Sequence, residues 1–148
     1  MPNTLDNVNH RDEVLELVHA VMHQVRARQH LELRDAAELT PMEARVLRFF
    51  GRHACATLSD LAEHSGRDKA QLARLVKGLR DRALLDGQDD SEDRRQVRLA
   101  LSPAGEDLYR RLQRLDRKLA AQAASGLTEA EGEQLRALLQ KVRENLRA

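Results

Sequence analysis

The chain of 148 residues is long enough to bury one ordinary core, and with no Trp, one Tyr and two Phe that core has to be aliphatic. At 33% charged and 41% hydrophobic residues, rich in Leu, Ala, Arg and Glu, it reads as a helical protein with solvated outer faces and not as a disordered one. A formal net charge of +1 excludes a general basic field, one cysteine excludes an intramolecular disulfide, and no apolar run approaches a membrane span or a signal segment, which makes the cytoplasm the expected compartment and a membrane partner unexpected.

The first predicted element is a long helix over about residues 12 to 33, where Val14, Leu17, Val18, Val21, Met22 and Val25 recur at spacings of three and four. Thr40, Pro41 and Glu43 then form a capping box that starts a second helix carrying Val46, Leu47 and Phe50. Thr57 caps a short helix, with Asp60 as an imperfect box partner, and Ser65-Gly66 ends it. Asp68 caps the next helix, with Gln71 at the reciprocal position and Leu72, Leu75, Val76 and Leu79 as its buried stripe. A short helix, a glycine turn and a longer basic helix are the order of a helix-turn-helix.

Val97, Leu99 and Leu101 alternate with Arg98 and Ala100, the only clear strand in the sequence. Residues 84 to 89 are its nearest partner, which makes a hairpin with its tip at about 90 to 95 and Gly87 a candidate bulge. Asp86-Gly87 as a tight turn is rejected, because the returning arm would be wholly polar. Ser102-Pro103 opens a helix with Leu108, Leu112, Leu115 and Leu119, closed by Gly126. Thr128 and Glu131 box the last helix, which carries Leu135, Leu138, Leu139, Val142 and Leu146.

A helix-turn-helix followed by a hairpin is a winged helix, a reader of double-stranded DNA. The charge agrees locally: residues 67 to 82 hold six cations against two carboxylates, whereas residues 1 to 40 hold four arginines against seven carboxylates. With Leu72 inward, Ala70, Ala73, Arg74, Lys77 and Asp81 share the far face, with Lys69 and Gln71 near the N-terminal end. Gln71 suits adenine, Arg74 guanine and the small alanines a close approach, while Lys69 and Lys77 suit phosphate. At the tip, Asp93 beside Arg94 and Arg95 would fix the loop and leave one guanidinium for a narrow minor groove.

The order "ELTPMEARVLRFF", "TLSDLAEHSG", "LARLVKGLRDRALL", "DRRQVRLALSPAG" resembles the MarR family of winged-helix transcriptional regulators, over about residues 12 to 146. The resemblance implies a mainly α fold with a small β-hairpin wing: an N-terminal dimerisation helix (1–38), a winged helix-turn-helix DNA-binding domain (39–101) and C-terminal dimerisation helices (102–148). It implies a homodimer and a repressor released by a small-molecule effector. It places Arg74 as the recognition-helix arginine, Asp93 and Arg95 as the structural pair of the wing, and Arg94 as the minor-groove side chain. At "KAQLA" Gln71 and Ala73 stand where the family often has Ser or Thr, so the operator is not inherited. An effector pocket between the dimerisation helices and the winged domain would fall near His30, Arg45 and His53, with walls from Met42 and Val46.

Three apolar stripes, at 14 to 25, 108 to 119 and 135 to 146, exceed what a small winged helix needs to cover itself, which independently favours a dimer. His19, His23 and His30 share one side of the first helix, but no cysteine or carboxylate completes a set on the same turns, so a solvated or pH-sensitive stripe is favoured over a metal. Cys55 reads as a small buried side chain before it reads as an oxidant sensor, although Arg52 and His53 lie close in sequence. No phosphate loop, nucleophile elbow or zinc-protease motif is present, so neither an enzyme nor a cofactor is expected. The competing class is a helical dimeric protein-interaction module that keeps the winged-helix scaffold.

Overall fold

The computed structural model describes residues 4–36, 39–89 and 97–147. Their order is α1 (Thr4–Ala36), α2 (Pro41–Arg52), β1 (Ala56–Thr57), α3 (Leu58–Ser65), α4 (Lys69–Asp81), β2 (Leu85–Asp89), β3 (Val97–Leu101), α5 (Pro103–Ala123) and α6 (Glu129–Asn145). This is the expected fold class, mainly helical with a small antiparallel sheet, and among the described residues no helix is long and apolar enough to cross a membrane.

The caps explain why the helices begin where they do. Thr40 Oγ1 accepts from Glu43 N at 3.2 Å while Glu43 Oε1 accepts from Thr40 N at 3.1 Å. Thr57 and Asp60 make the same reciprocal pair, as do Thr128 and Glu131, so the shorter Asp60 side chain completes its box after all. Asp68 behaves otherwise: its carboxylate accepts from Ala70 N at 3.2 Å, one residue short of a box with Gln71. Thr57 and Thr128 also hold the carboxyls of Asp60 and Glu131 below the ordinary carboxylate range, because their backbone N–H groups and then their hydroxyls hydrogen-bond the charged forms.

Three local expectations change. α1 is longer than its apolar stripe, because nothing in residues 4 to 11 breaks a helix. A short strand, β1, precedes α3 and pairs with β3 (Ala56 with Leu99), so the sheet order is β1-β3-β2. Two residues carry too little alternation to announce such a strand. Finally, β2 and β3 pair without a slip from Leu85–Leu101 to Asp89–Val97, so Gly87, opposite Leu99, is not a bulge.

The core lies under the helix-turn-helix. Val46, Leu47 and Phe50 of α2, Leu61 of α3, Leu72, Val76 and Leu79 of α4, Leu85 and Leu99 of the sheet, and Leu108 and Leu112 of α5 bury one another, and Leu33 and Leu39 join the end of α1 to the same cluster. Burial of each such aliphatic side chain stabilises by about 1.5–3 kcal/mol. Two close approaches set the packing. The Tyr109 ring lies on Gly51, and a β-carbon on Gly105 would overlap the Leu84 carbonyl oxygen, so the start of α5 sits directly on the entry to β2.

The chain divides into two compact units, residues 1–115 and 116–148. In the first, Val14, Leu17, Val18, Val21 and Met22 of α1 are exposed, Leu17 by 64%. In the second, α6 buries none of its described residues, and Leu135, Leu138 and Leu139 are about half exposed.

Candidate nucleic-acid interface

The turn between α3 and α4 is set by Gly66, whose left-handed φ of 65° ends α3 where an L side chain would be strained. α4 then buries Leu72, Val76 and Leu79, which leaves Lys69, Ala70, Gln71, Arg74, Lys77, Arg80 and Asp81 exposed and Ala73 half-buried. The expected reading face is therefore presented to solvent. Its far end is fixed by a turn in which Leu84 N donates to Leu79 O and Ala83 N to Arg80 O, both at 2.9 Å, with Ala83 at φ 59°.

Along one side of α4 lies a cleft of about 610 Å³, walled by Thr57, Leu58 and Ser59 at the start of α3 and by Val97 and Leu99 of β3. Lys69, Ala73, Lys77 and Arg80 line it from α4, with Asp81 the single carboxylate among the described residues. Lys69 Nζ donates to Ser59 Oγ at 2.9 Å, which directs that ammonium along the cleft mouth. Gln71, Arg74 and Ala70 lie outside this lining, on the more open part of the helix. The sequence pattern alone assigns Arg80 no role; its signal is the row 69, 73, 77, 80 at helical spacing.

The wing is the β2–β3 hairpin, and its root is held from both sides. Arg98 Nη1 donates to the Cys55 carbonyl at 3.2 Å, and Cys55 N donates to Leu99 O at 3.1 Å. Cys55 is exposed, not buried, at a left-handed φ of 64°, because the turn from α2 into β1 directs its side chain outward, 4.0 Å from Gln88 Oε1. Asp93, Arg94 and Arg95, the expected tip residues, lie outside the described residues.

The five residues of the expected effector pocket do not share one cavity. Met42, Arg45, Val46 and His53 line a cleft of about 280 Å³ with Arg48, Arg52, Arg67 and the apolar Phe49, Leu61 and Leu72. His30 lines another, of about 310 Å³ between α1 and α2, with His23, Arg26, Arg45 and Arg48. Arg45 and Arg48 stand between the two, and among the described residues no carboxylate lines either. Partial burial, followed by the nearby Arg26, Arg67 and Arg48 guanidiniums, lowers the pKa of Arg45. Val46 is a core residue, 1% exposed, that only floors its cleft. His53 stacks on Phe49 with ring centres 4.8 Å apart, and His64 does so at 5.2 Å.

Among the described residues no group of three or more His, Cys, Asp or Glu is placed to hold a metal ion; His23 and His30 face the α1–α2 cleft, whose lining does not include His19.

The MarR family model matches residues 37–96. No curated protein matches the chain. Among solved structures, the chain is similar to MepR of S. aureus in complex with DNA, at 22% identity and a TM-score of 0.77 over 88% of this chain and 96% of that one. It is similar to a putative MarR-family transcriptional regulator from Listeria monocytogenes complexed with a 26mer DNA, at 20% identity and a TM-score of 0.76 over 89% and 87% of the two chains. It is also similar to wild-type apo MarR from E. coli, at 23% identity and a TM-score of 0.74 over 86% and 93%. Residues 37–96 thus match the MarR family, and the chain as a whole shares the fold of these solved winged-helix proteins.

Proposed function

We propose that the protein is a sequence-specific, double-stranded-DNA-binding repressor that works as a homodimer on a palindromic operator and is released by a small-molecule effector. The observation that carries DNA binding is the exposed face of α4. Six residues of suitable chemistry, Lys69, Ala70, Gln71, Arg74, Lys77 and Arg80, stand clear of a buried stripe on the second helix of a helix-turn-helix, beside a hairpin. Gln71 and Arg74 read base edges, Ala70 and Ala73 allow close approach, Lys69 and Lys77 hold phosphates, and Arg94 of the wing, fixed by Asp93 and Arg95, enters the minor groove.

The exposed apolar faces of α1 and α6 support the dimer, since patches of this kind call for a partner surface. On this reading residues 1–38 and 102–148 dimerise, residues 39–101 bind DNA, and the two-fold sets the recognition helices about one DNA turn apart. The arginine-rich clefts on either side of Arg45, free of carboxylates among the described residues, support an anionic effector, whose binding would change that spacing.

Anisotropy titrations with duplex DNA test the reading. Arg94→Ala should weaken binding to every duplex, and Gln71→Ala should change the preferred bases by about 1–3 kcal/mol at one position. Parental binding by both variants would contradict this docking, and binding of a protein partner without DNA would favour an interaction module.

A further inference from the structure

Resting on the DNA-binding reading, the geometry points to Arg80 as a further phosphate-binding residue whose guanidinium is placed by the absence of a side chain at Gly87.

Gly87 is not needed by its strand. β2 pairs in register with β3 through this position, and its φ is not left-handed, so any β-forming residue would satisfy the backbone. What the glycine leaves is room. A β-carbon here would lie 2.6 Å from Arg80 Nη2, 2.9 Å from Arg80 Cζ and 3.0 Å from Val97 Cγ1. The guanidinium of Arg80 therefore rests over the Gly87 backbone, on the strand that leads into the wing tip.

That position continues a line of positive charge. Lys69, Lys77 and Arg80 line the same cleft along one side of α4, with Asp81 the only carboxylate facing it among the described residues. The line runs over twelve residues of helix, eleven steps or about 16 Å. Lys69 is steered at one end by Ser59 and Arg80 at the other by Gly87. A guanidinium is planar with a fork of donors and keeps its charge, so one resting against Gly87 at the junction of recognition helix and wing is suited to a backbone phosphate between their two grooves.

The atoms that a new β-carbon would meet on Arg80 are the far end of a flexible side chain, so Gly87→Ala moves the guanidinium, while Val97 Cγ1, at 3.0 Å, has to give by a few tenths of an ångström. Binding is followed by anisotropy from about 50 to 200 mM salt, on the preferred duplex and on a scrambled one, for the parent, Arg80→Gln, Arg80→Lys, Gly87→Ala and the Arg80→Gln/Gly87→Ala pair. Thermal unfolding reports that each variant is folded.

Loss of one phosphate contact lowers the log–log salt slope by about 0.9, so Arg80→Gln and Gly87→Ala should each lose about threefold to fourfold less affinity than the parent over that range. Both should bind the two duplexes more weakly by the same factor, the pair should be no worse than either alone, and Arg80→Lys should keep the parental slope. An unchanged slope and affinity in Arg80→Gln would overturn the inference, as would a loss confined to the preferred duplex with the slope intact, which would assign Arg80 to wing positioning. A parent that binds no duplex at any salt would sink the DNA-binding reading itself.

Discussion

The Ser102 hydroxyl donates a 2.6 Å hydrogen bond to the carbonyl of Ala83, and the same oxygen accepts from Gly105 N at 3.0 Å. One buried side chain thus caps α5 and ties it to the turn that follows the recognition helix. Ser102→Ala removes both bonds and leaves the Ala83 carbonyl without this donor. It should destabilise the protein by about 1–3 kcal/mol in urea unfolding. An unchanged midpoint would mean that the hydroxyl contributes nothing net.

Two positions on α4 and its exit should be open to improvement. Ala83 holds a left-handed φ of 59° in a turn that glycine adopts freely, and Ala83→Gly should stabilise by about 0.5–1 kcal/mol after its own entropy cost. Gly78 lies inside α4, where an added β-carbon would meet nothing within 4 Å, and Gly78→Ala should stabilise by about 1 kcal/mol. Calorimetric melting checks both; a lower melting temperature for Gly78→Ala would mean that the helix needs the glycine for a reason absent from its packing.

Stability should fall on acidification through the carboxylate range. The Asp60 and Glu131 carboxyls titrate lower in the folded chain than in the unfolded one, because Thr57 and Thr128 hydrogen-bond their charged forms. The unfolded state therefore binds more protons in that window, and the contribution is present above the unfolded pKa and lost as pH falls through the folded one. In unfolding free energy measured against pH, the Asp60→Asn, Glu131→Gln double variant should show a shallower acid slope than the parent. An identical slope would contradict the assignment to these caps.

Self-association should depend on the exposed face of α1. Leu17 and Val21, 64% and 50% exposed, become charged in Leu17→Glu and Val21→Glu, and sedimentation should then show monomers at concentrations where the parent is a dimer. A parent that is monomeric at every concentration would contradict the proposed assembly.

Much of the fold was legible because local signals agreed. Thr40-Pro41-Glu43, Thr128-Glu131 and the glycine at 66 each fix a helix end by hydrogen bonds within four residues, and each stands where the sequence pattern places it. What escaped the sequence depends on partners far along the chain. β1 exists because β3 offers it an edge, Cys55 is turned outward by the Leu99 carbonyl and Arg98, and Gly87 resembles a bulge in sequence because the side chain that needs its space comes from α4. The effector pocket expected around Arg45 divides in two for the same reason, since α1 and α3 approach α2 from different sides.

A dimeric, sequence-specific DNA reader is tested by selecting bound duplexes from a random library with the purified protein and titrating the winners across salt. A palindrome with half-site centres about 10 base pairs apart should emerge, with a steep loss of affinity as salt rises. No enrichment, even at low salt, would contradict it.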